Sequence, residues 1–490
     1  MAAAGGWLWA LQFEAEPLRV APWLALTPLM LLLGSARPAR WGWLHGFVYW
    51  LTAIPWIGPT LVTFGGLSWW LAMPLLALLA AFLGLYGAVF GWLGGKIWRR
   101  RTWVALWGLP ALWVALEWVR GWFLGGFPWN LAAYAWVDVP GALPLAAWIG
   151  PWGVGYLVLW ANAGIALGVA RRRWPVALVG VLAPLLLLAV AGRFATADPG
   201  WSPHAGQPVR VLQPNIPNLT AVDWPVVLAN YQKVLEMSRQ ACDAPEALVI
   251  WPESAAWPFS YQGEPELRQD LSALVAAGCP LLLNTAWDED DGTRNAALLL
   301  SPGGGFERYD KRKLVPFGEY VPGRRLLPFA GTLARNAGDF TAADELTLLP
   351  WGRERLGVAI CFEITFPGEV AEAVRAGATT LVTITNDAWY GDTSAPWQHF
   401  RAARFRAAET RRPLARAAIT GISALVAADG GVEAQLGPFD EGLLRGRVRG
   451  ATGLTPFARA PWLAPALSLL LTAAALWAAR RRLSAWQPMG

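Results

Sequence analysis

Residues 1 to about 192 are long apolar runs separated by short arginine clusters, residues about 195 to 455 alternate short β-rich runs with amphipathic stretches, and Ala460–Ala479 is apolar again. A helix needs roughly 20 apolar residues to cross the hydrocarbon of a bilayer. Spans are expected near Gly6–Gln12, Val20–Leu33, Trp41–Gly58, Trp70–Gly94, Trp103–Val119, Leu143–Val169 and Pro175–Val190, with an eighth at Ala460–Ala479. The first is too short for a full crossing and is followed by Glu14 and Glu16, so a tilted or re-entrant segment is expected there. The plan is therefore transmembrane helices one to seven over 1–192, a soluble domain over 205–450, and a C-terminal transmembrane helix over 459–480. The N-terminus lacks a basic region and a small-residue cleavage site, so no cleavable signal peptide is expected.

Within the soluble block the pattern predicts strands at Val209–Leu212, Ala247–Trp251, Pro280–Leu283, Leu356–Ile360, Thr380–Thr385, Ile422–Ala428 and Val432–Leu436, with a hairpin through Asn295–Leu300. Helices are predicted near Val226–Cys242, Glu264–Ala277, Gly368–Ala376 and Trp397–Glu409. Strands alternating with helices imply an α/β domain whose sheet is covered on its faces.

Composition agrees with a membrane protein: 490 residues are 55% hydrophobic and 15% charged, with 33 Trp and a mean hydropathy of +0.35. Indole rings favour the headgroup level, where many of these Trp fall. The net charge of +6 points to topology rather than nucleic acid. Arg37 and Arg40, Arg99–Arg101, Arg171–Arg173 and Arg480–Arg482 each abut an apolar run, as cytoplasmic loops do. With all of them inside, both termini are cytoplasmic and the soluble block lies outside the bacterial inner membrane. That compartment is oxidising. All three cysteines, Cys242, Cys279 and Cys361, fall in the block, and an odd count leaves a free thiol; whether Cys242 and Cys279 pair stays open.

Three segments carry polar side chains at predicted strand ends, where open α/β folds place their chemistry. Cys361 ends Leu356–Ile360 and precedes a helical stretch, and a strand-to-helix junction favours thiolate over thiol. Glu253 follows the strand at 247–251, where a desolvated carboxylate makes a better proton acceptor. Lys311 and Lys313 lie in Tyr309–Pro322, and either could turn inward to stabilise an oxyanion. Asn386 and Asp387 follow the strand at 380–385. A rival base for Cys361 is His399, in the predicted helix 397–409, whereas His45 falls in a membrane span and His204 near the linker. The aromatic loops around Trp257 and Phe259, Phe329–Phe340 and Trp389–Trp397 would dip into the bilayer or act as lids. No Cys/His cluster has metal-ligand spacing, so neither metal nor diffusible cofactor is expected.

Trp-Pro-Glu at 251–253, Tyr-x-Lys-x-x-Leu-Val-Pro-Phe-Gly-Glu-Tyr at 309–320 and Cys-Phe-Glu at 361–363, in that order, resemble the nitrilase or carbon-nitrogen hydrolase superfamily. The spans around the domain, Asn386–Trp389 and the segment from Glu409 to Ser423 resemble its membrane-bound branch, which N-acylates apolipoproteins of the bacterial envelope. The resemblance implies an α-β-β-α sandwich, with Cys361 as nucleophile, Glu253 as general base and Lys311 as stabiliser of the tetrahedral intermediate. It also implies supporting roles for Glu319, Glu363, Phe362 and Asn386, and a substrate-side aromatic at Trp224. Two positions depart from the family pattern: Phe362 stands where it often has Tyr, and Lys313 where it often has His. The implied reaction takes an acyl chain from a phospholipid donor, through a Cys361 thioester, to the α-amine of a diacylglyceryl apolipoprotein acceptor. A membrane-tethered amidase is the alternative activity, and a non-catalytic scaffold would not need the Glu253, Lys311 and Cys361 set.

Overall fold

The computed structural model describes all residues except 18–20, 194–199, 204, 220–221, 245, 322–338 and 481–490. Arg481, Arg482, His204 and the expected lid up to residue 338 lie outside the described residues. The chain divides into two compact units, one of Met1–Gly58, Trp69–Thr196 and Ala460–Gly490, the other of Pro59–Ser68 and Ala197–Arg459.

The first unit is helical. Among the described residues, five helices are long and apolar enough to cross a membrane: Trp69–Trp98, Thr102–Arg120, Ala142–Arg171, Trp174–Gly192 and Leu463–Arg480. The spans expected at 6–12, 20–33 and 41–58 form shorter elements, Ala2–Ala10, Thr27–Leu32 and Pro38–Ala53. Glycine lets the last of these approach Trp69–Trp98 closely. A Cβ on Gly42 would lie 2.0 Å from the Gly87 carbonyl oxygen, and one on Gly46 3.0 Å from the Gly84 Cα. In lipid, where burying apolar surface gives no driving force, such close packing is what holds helices together.

The second unit is built on two six-stranded sheets. The first runs in the order β12-β1-β2-β3-β4-β5, with β1 at Gln207–Gln213, β2 Leu248–Ile250, β3 Leu281–Glu289, β4 Gly292–Leu300, β5 Phe306–Asp310 and β12 Gly442–Val448. The second runs β11-β10-β9-β8-β7-β6, with β6 at Leu349–Trp351, β7 Glu354–Ile360, β8 Thr380–Thr385, β9 Leu414–Ala418, β10 Ser423–Val426 and β11 Val432–Leu436.

Side chains alternate across a strand, and both faces of each sheet are apolar. Val209, Val211, Leu248, Ile250 and Leu282 meet Val358, Ile360, Val382 and Ile384 in one core between the sheets. Their neighbours Leu212, Val249, Leu281 and Leu283 pack against helices Trp224–Ala241 and Pro265–Ala276. Ala359 and Leu381 pack against Pro367–Arg375 and Ala395–Thr410. The result is an α-β-β-α sandwich. Each buried Leu, Ile or Val contributes roughly 1.5–3 kcal/mol, so the inner core and the two sheet-to-helix layers all hold the domain together.

The predicted strands and helices of this block appear, with shifted boundaries. Short, charged or interrupted strands escaped the pattern: β5, β6, β9 and β12. β12 returns from the far end of the domain to lie antiparallel to β1, with Gln207 opposite Val448. Cys242 and Cys279, whose pairing the sequence leaves open, form a disulfide with Cα atoms 5.7 Å apart. Cys361 is the free, buried cysteine.

Candidate active site

The segments that follow β2, β5, β7 and β8 converge, and each delivers one polar residue shortly past its strand's last ladder position. Glu253 lies three residues after β2 and is 6% exposed. Its Oε1 accepts from Asn295 Nδ2 at 3.1 Å and faces Lys311 Nζ at 3.5 Å, while its Oε2 accepts the Asn386 backbone N–H at 2.9 Å. Lys311 follows β5 directly and is 1% exposed. Its Nζ donates to Glu319 Oε1 at 2.8 Å. Glu319 is held by Asn295 Nδ2 at 2.7 Å and by the Val315 N–H at 2.7 Å. Burial alone would lower the Lys311 pKa, but the charges of Glu319 and Glu253 outweigh it and hold the group as an ammonium.

Cys361 leaves β7 in a left-handed conformation, φ +53°, and begins the 3₁₀ turn Cys361–Thr365. Ser254 and Phe317, in the other two segments, also have positive φ, 63° and 62°. Such backbone costs on the order of 1–3 kcal/mol per residue and persists where the surroundings over-determine it. The expectation that the junction favours thiolate needs correcting. Burial, and then the negative charge of Glu253, push the Cys361 thiol well above its ordinary value, against the opposite pull of Lys311. Only a single 3₁₀ turn follows the thiol, and the α-helix starts at Pro367, so little helix dipole reaches the sulfur.

The supporting residues divide by role. Glu363 is buried and binds four donors: the Tyr309 hydroxyl at 2.9 Å and the backbone N–H groups of Arg312 at 2.7 Å, Lys313 at 3.1 Å and Ile360 at 2.8 Å. It ties the lysine segment to the cysteine segment. Burial pushes its carboxyl up, and Lys311 and these N–H groups resist that. Asn386 fixes Glu253 through its backbone, and its side chain donates to Asn218 Oδ1 at 2.8 Å. Phe362 is buried edge-on against Phe366. Lys313 is 40% exposed at its side chain and pairs with Glu369 at 3.3 Å, whereas Lys311 faces Glu253 and Glu319. Trp224 opens its helix, is 56% exposed, and has its ring 6.2 Å from that of Phe259. The rival base His399 is fully buried, with Nε2 3.0 Å from the Cys361 carbonyl oxygen.

Sequence reasoning missed Asn295, which bridges Glu253 and Glu319 from β4, the strand next to the edge of the first sheet. A polar residue at the head of the apolar run 296–300 was the available signal. It also missed Pro59–Ser68, which belongs to this unit although it lies between expected spans. Thr60 Oγ1 donates to the Trp389 carbonyl at 2.8 Å, and Phe64 packs edge-to-face on the Trp389 ring at 4.6 Å.

A buried thiol, a buried carboxylate and a buried ammonium in one cluster can perform acyl transfer. The carboxylate takes the thiol proton, the sulfur attacks a carbonyl, and the ammonium faces the developing oxyanion. Similarity to known proteins covers both halves of the chain. Residues 5–164 match the model of the apolipoprotein N-acyltransferase N-terminal domain, and residues 209–455 that of carbon-nitrogen hydrolases. An apolipoprotein N-acyltransferase from Geobacter metallireducens is 36% identical over 92% of this chain and 89% of its own length. One from Methylococcus capsulatus is 35% identical over 96% and 94%. Among solved structures, a CN-hydrolase superfamily protein from Xanthomonas campestris aligns with a TM-score of 0.39 at 16% identity, over 50% of this chain and 91% of that one.

Proposed function

The chain belongs to the apolipoprotein N-acyltransferase family, and from that premise we propose how its residues carry the reaction. It is a bacterial membrane enzyme that acylates lipoproteins. In the proposed mechanism Glu253 accepts the Cys361 proton as the sulfur attacks the ester carbonyl of a membrane phospholipid. The Lys311 ammonium stabilises the tetrahedral oxyanion. Collapse breaks the ester C–O bond, the lysophospholipid leaves with the proton from Glu253, and a Cys361 thioester remains. In the second half the α-amine of the acceptor's diacylglyceryl cysteine attacks that thioester. Glu253 takes the amine proton and returns it to the departing Cys361 sulfur, and an amide forms.

The observation that carries this reading is the placement of Lys311. Its ammonium is 1% exposed and bridges Glu253 and Glu319, which leaves it no role as a solvated surface lysine. With the thiol protonated at rest, attack requires a base, and Glu253 is the carboxylate whose charge the thiol feels most strongly. The domain over 205–450 is proposed to face outward, a reading supported by the arginine clusters beside the apolar runs. Water would waste the thioester, so substrate is proposed to enter from lipid.

Intact-mass measurement after incubation with a labelled phospholipid tests the proposal. The wild type is expected to gain one base-labile acyl group and Cys361→Ala none, with transfer abolished and the melting temperature retained. Transfer by a folded Cys361→Ala variant would overturn it.

A further inference from the structure

The buried histidine beside the nucleophile is not its base, and its geometry gives it different work. Nε2 of His399 lies 3.0 Å from the Cys361 carbonyl oxygen. A carbonyl accepts only, so Nε2 carries a proton and donates it. Nδ1 lies 3.2 Å from Arg416 Nη2 and 3.2 Å from Asp387 Oδ1. Burial and the Arg416 charge hold the ring's pKa down, so the imidazole is neutral and Nδ1 accepts from the guanidinium.

Asp387 has other donors, Arg416 Nη2 at 2.7 Å and the Thr385 hydroxyl at 2.9 Å. Burial alone would raise its pKa, but the Arg416 charge, with the Thr385 hydroxyl, holds it near 2. Arg416 is also tied by its Nε to the Ile422 carbonyl at 2.9 Å. All three side chains are fully buried. Their fit is tight, for a Cβ on Gly421 would lie 2.2 Å from Asp387 Oδ2. The ring is thus fixed from behind by a buried ion pair and presents one N–H to one carbonyl.

That carbonyl belongs to the residue whose backbone is left-handed, φ +53°. A β-strand leading into a cysteine would not adopt this geometry unless something held it. We propose that His399 is a positioning residue: its Nε2–H, braced by Arg416 and Asp387, holds the Cys361 carbonyl and so keeps the left-handed turn that aims the sulfur at Glu253 and Lys311. The inference rests on the nucleophile reading of Cys361. His399 touches neither substrate nor sulfur in this scheme.

The test compares His399→Phe, which keeps a flat ring and loses the donor, with His399→Gln, which keeps an N–H at similar reach. Full-length enzyme in detergent micelles is assayed for Cys361 acylation with a labelled phospholipid, together with KM and melting temperature. His399→Phe is expected to lose about 100-fold in kcat, the scale of a misplacement near 1 Å, with KM within about threefold, and His399→Gln to recover to within about tenfold of wild type. A His399→Phe enzyme within about threefold of wild type, or equal losses in both variants, would overturn the proposal. If His399→Phe does not fold, His399→Gln decides: a stable enzyme as inactive as Cys361→Ala refutes the donor role. Transfer retained by Cys361→Ala would instead sink the nucleophile reading.

Discussion

Glu319 is where the arrangement is most sensitive to a small change. Its Oε1 accepts from Lys311 and Asn295, and its Oε2 from the Val315 N–H. Glu319→Gln keeps the shape but cannot keep these bonds. If the amide oxygen stays toward Lys311, the new NH₂ faces the Val315 N–H; if it flips, the NH₂ faces the ammonium. At least one charge-assisted bond is lost either way, about 1.5–3 kcal/mol, and the flipped amide loses the Asn295 bond as well. The larger effect falls on Glu253. Lys311 now stands 2.8 Å from Glu319 and 3.5 Å from Glu253. Without Glu319 the ammonium's remaining carboxylate is Glu253, and closing on it would tie up the base. If that same energy is taken from the acylation transition state, the rate falls about 10- to 150-fold. Single-turnover acylation of Cys361, followed by intact mass with a labelled phospholipid, reads the rate directly. KM is expected to change little. A folded Glu319→Gln enzyme that acylates within about threefold of wild type would refute the reasoning, since Lys311 would then hold its place without Glu319.

Lys311→Met removes the oxyanion's partner while keeping length, and is expected to slow acylation by at least about 100-fold; a tenfold or smaller loss would mean that other donors do this work. Because the Cys361 thiol is pushed up, its thiolate fraction is small throughout and grows with each unit of pH. Alkylation by iodoacetamide in the absence of lipid is therefore expected to rise about tenfold per unit between pH 7 and 9, and a plateau below pH 8 would contradict the assigned ionisation. The Cys242–Cys279 bridge spans 37 residues, so Cys242→Ser/Cys279→Ser is expected to destabilise the domain by about 3–4 kcal/mol. Chemical denaturation monitored by Trp fluorescence checks this, and an unchanged midpoint would refute it.

Much of the fold was legible because burial on both faces forces near-continuous apolar strands, as at 248–250, 281–283 and 380–385. Strands with another pattern were not. β9 carries the buried Arg416 and follows Pro413, and β12 alternates Arg445 and Arg447 with Gly446 on a sheet edge, so both look like loops. Lys311 against Lys313 could be separated only by motif spacing, since nothing local marks which ammonium turns inward. The ionisation of Cys361 could not be read from its local address. It depends on Glu253, more than a hundred residues earlier, and on burial that only the finished sandwich supplies. Pro59–Ser68 was hidden for a similar reason: its partner, Trp389, lies over three hundred residues away.

The pairing of β1 with β12 sets a clock on assembly. β1 is among the first parts of the domain to be synthesised, yet its antiparallel neighbour is made roughly 230 residues later. At ribosomal rates of about 5–20 residues per second, that is on the order of 10–50 seconds. During the wait the first sheet has an open edge at β1, a template for pairing with another chain. The nascent enzyme therefore has a window in which delayed translation or a truncated message would leave a sticky half-domain, and the last strand to arrive is the one that closes it.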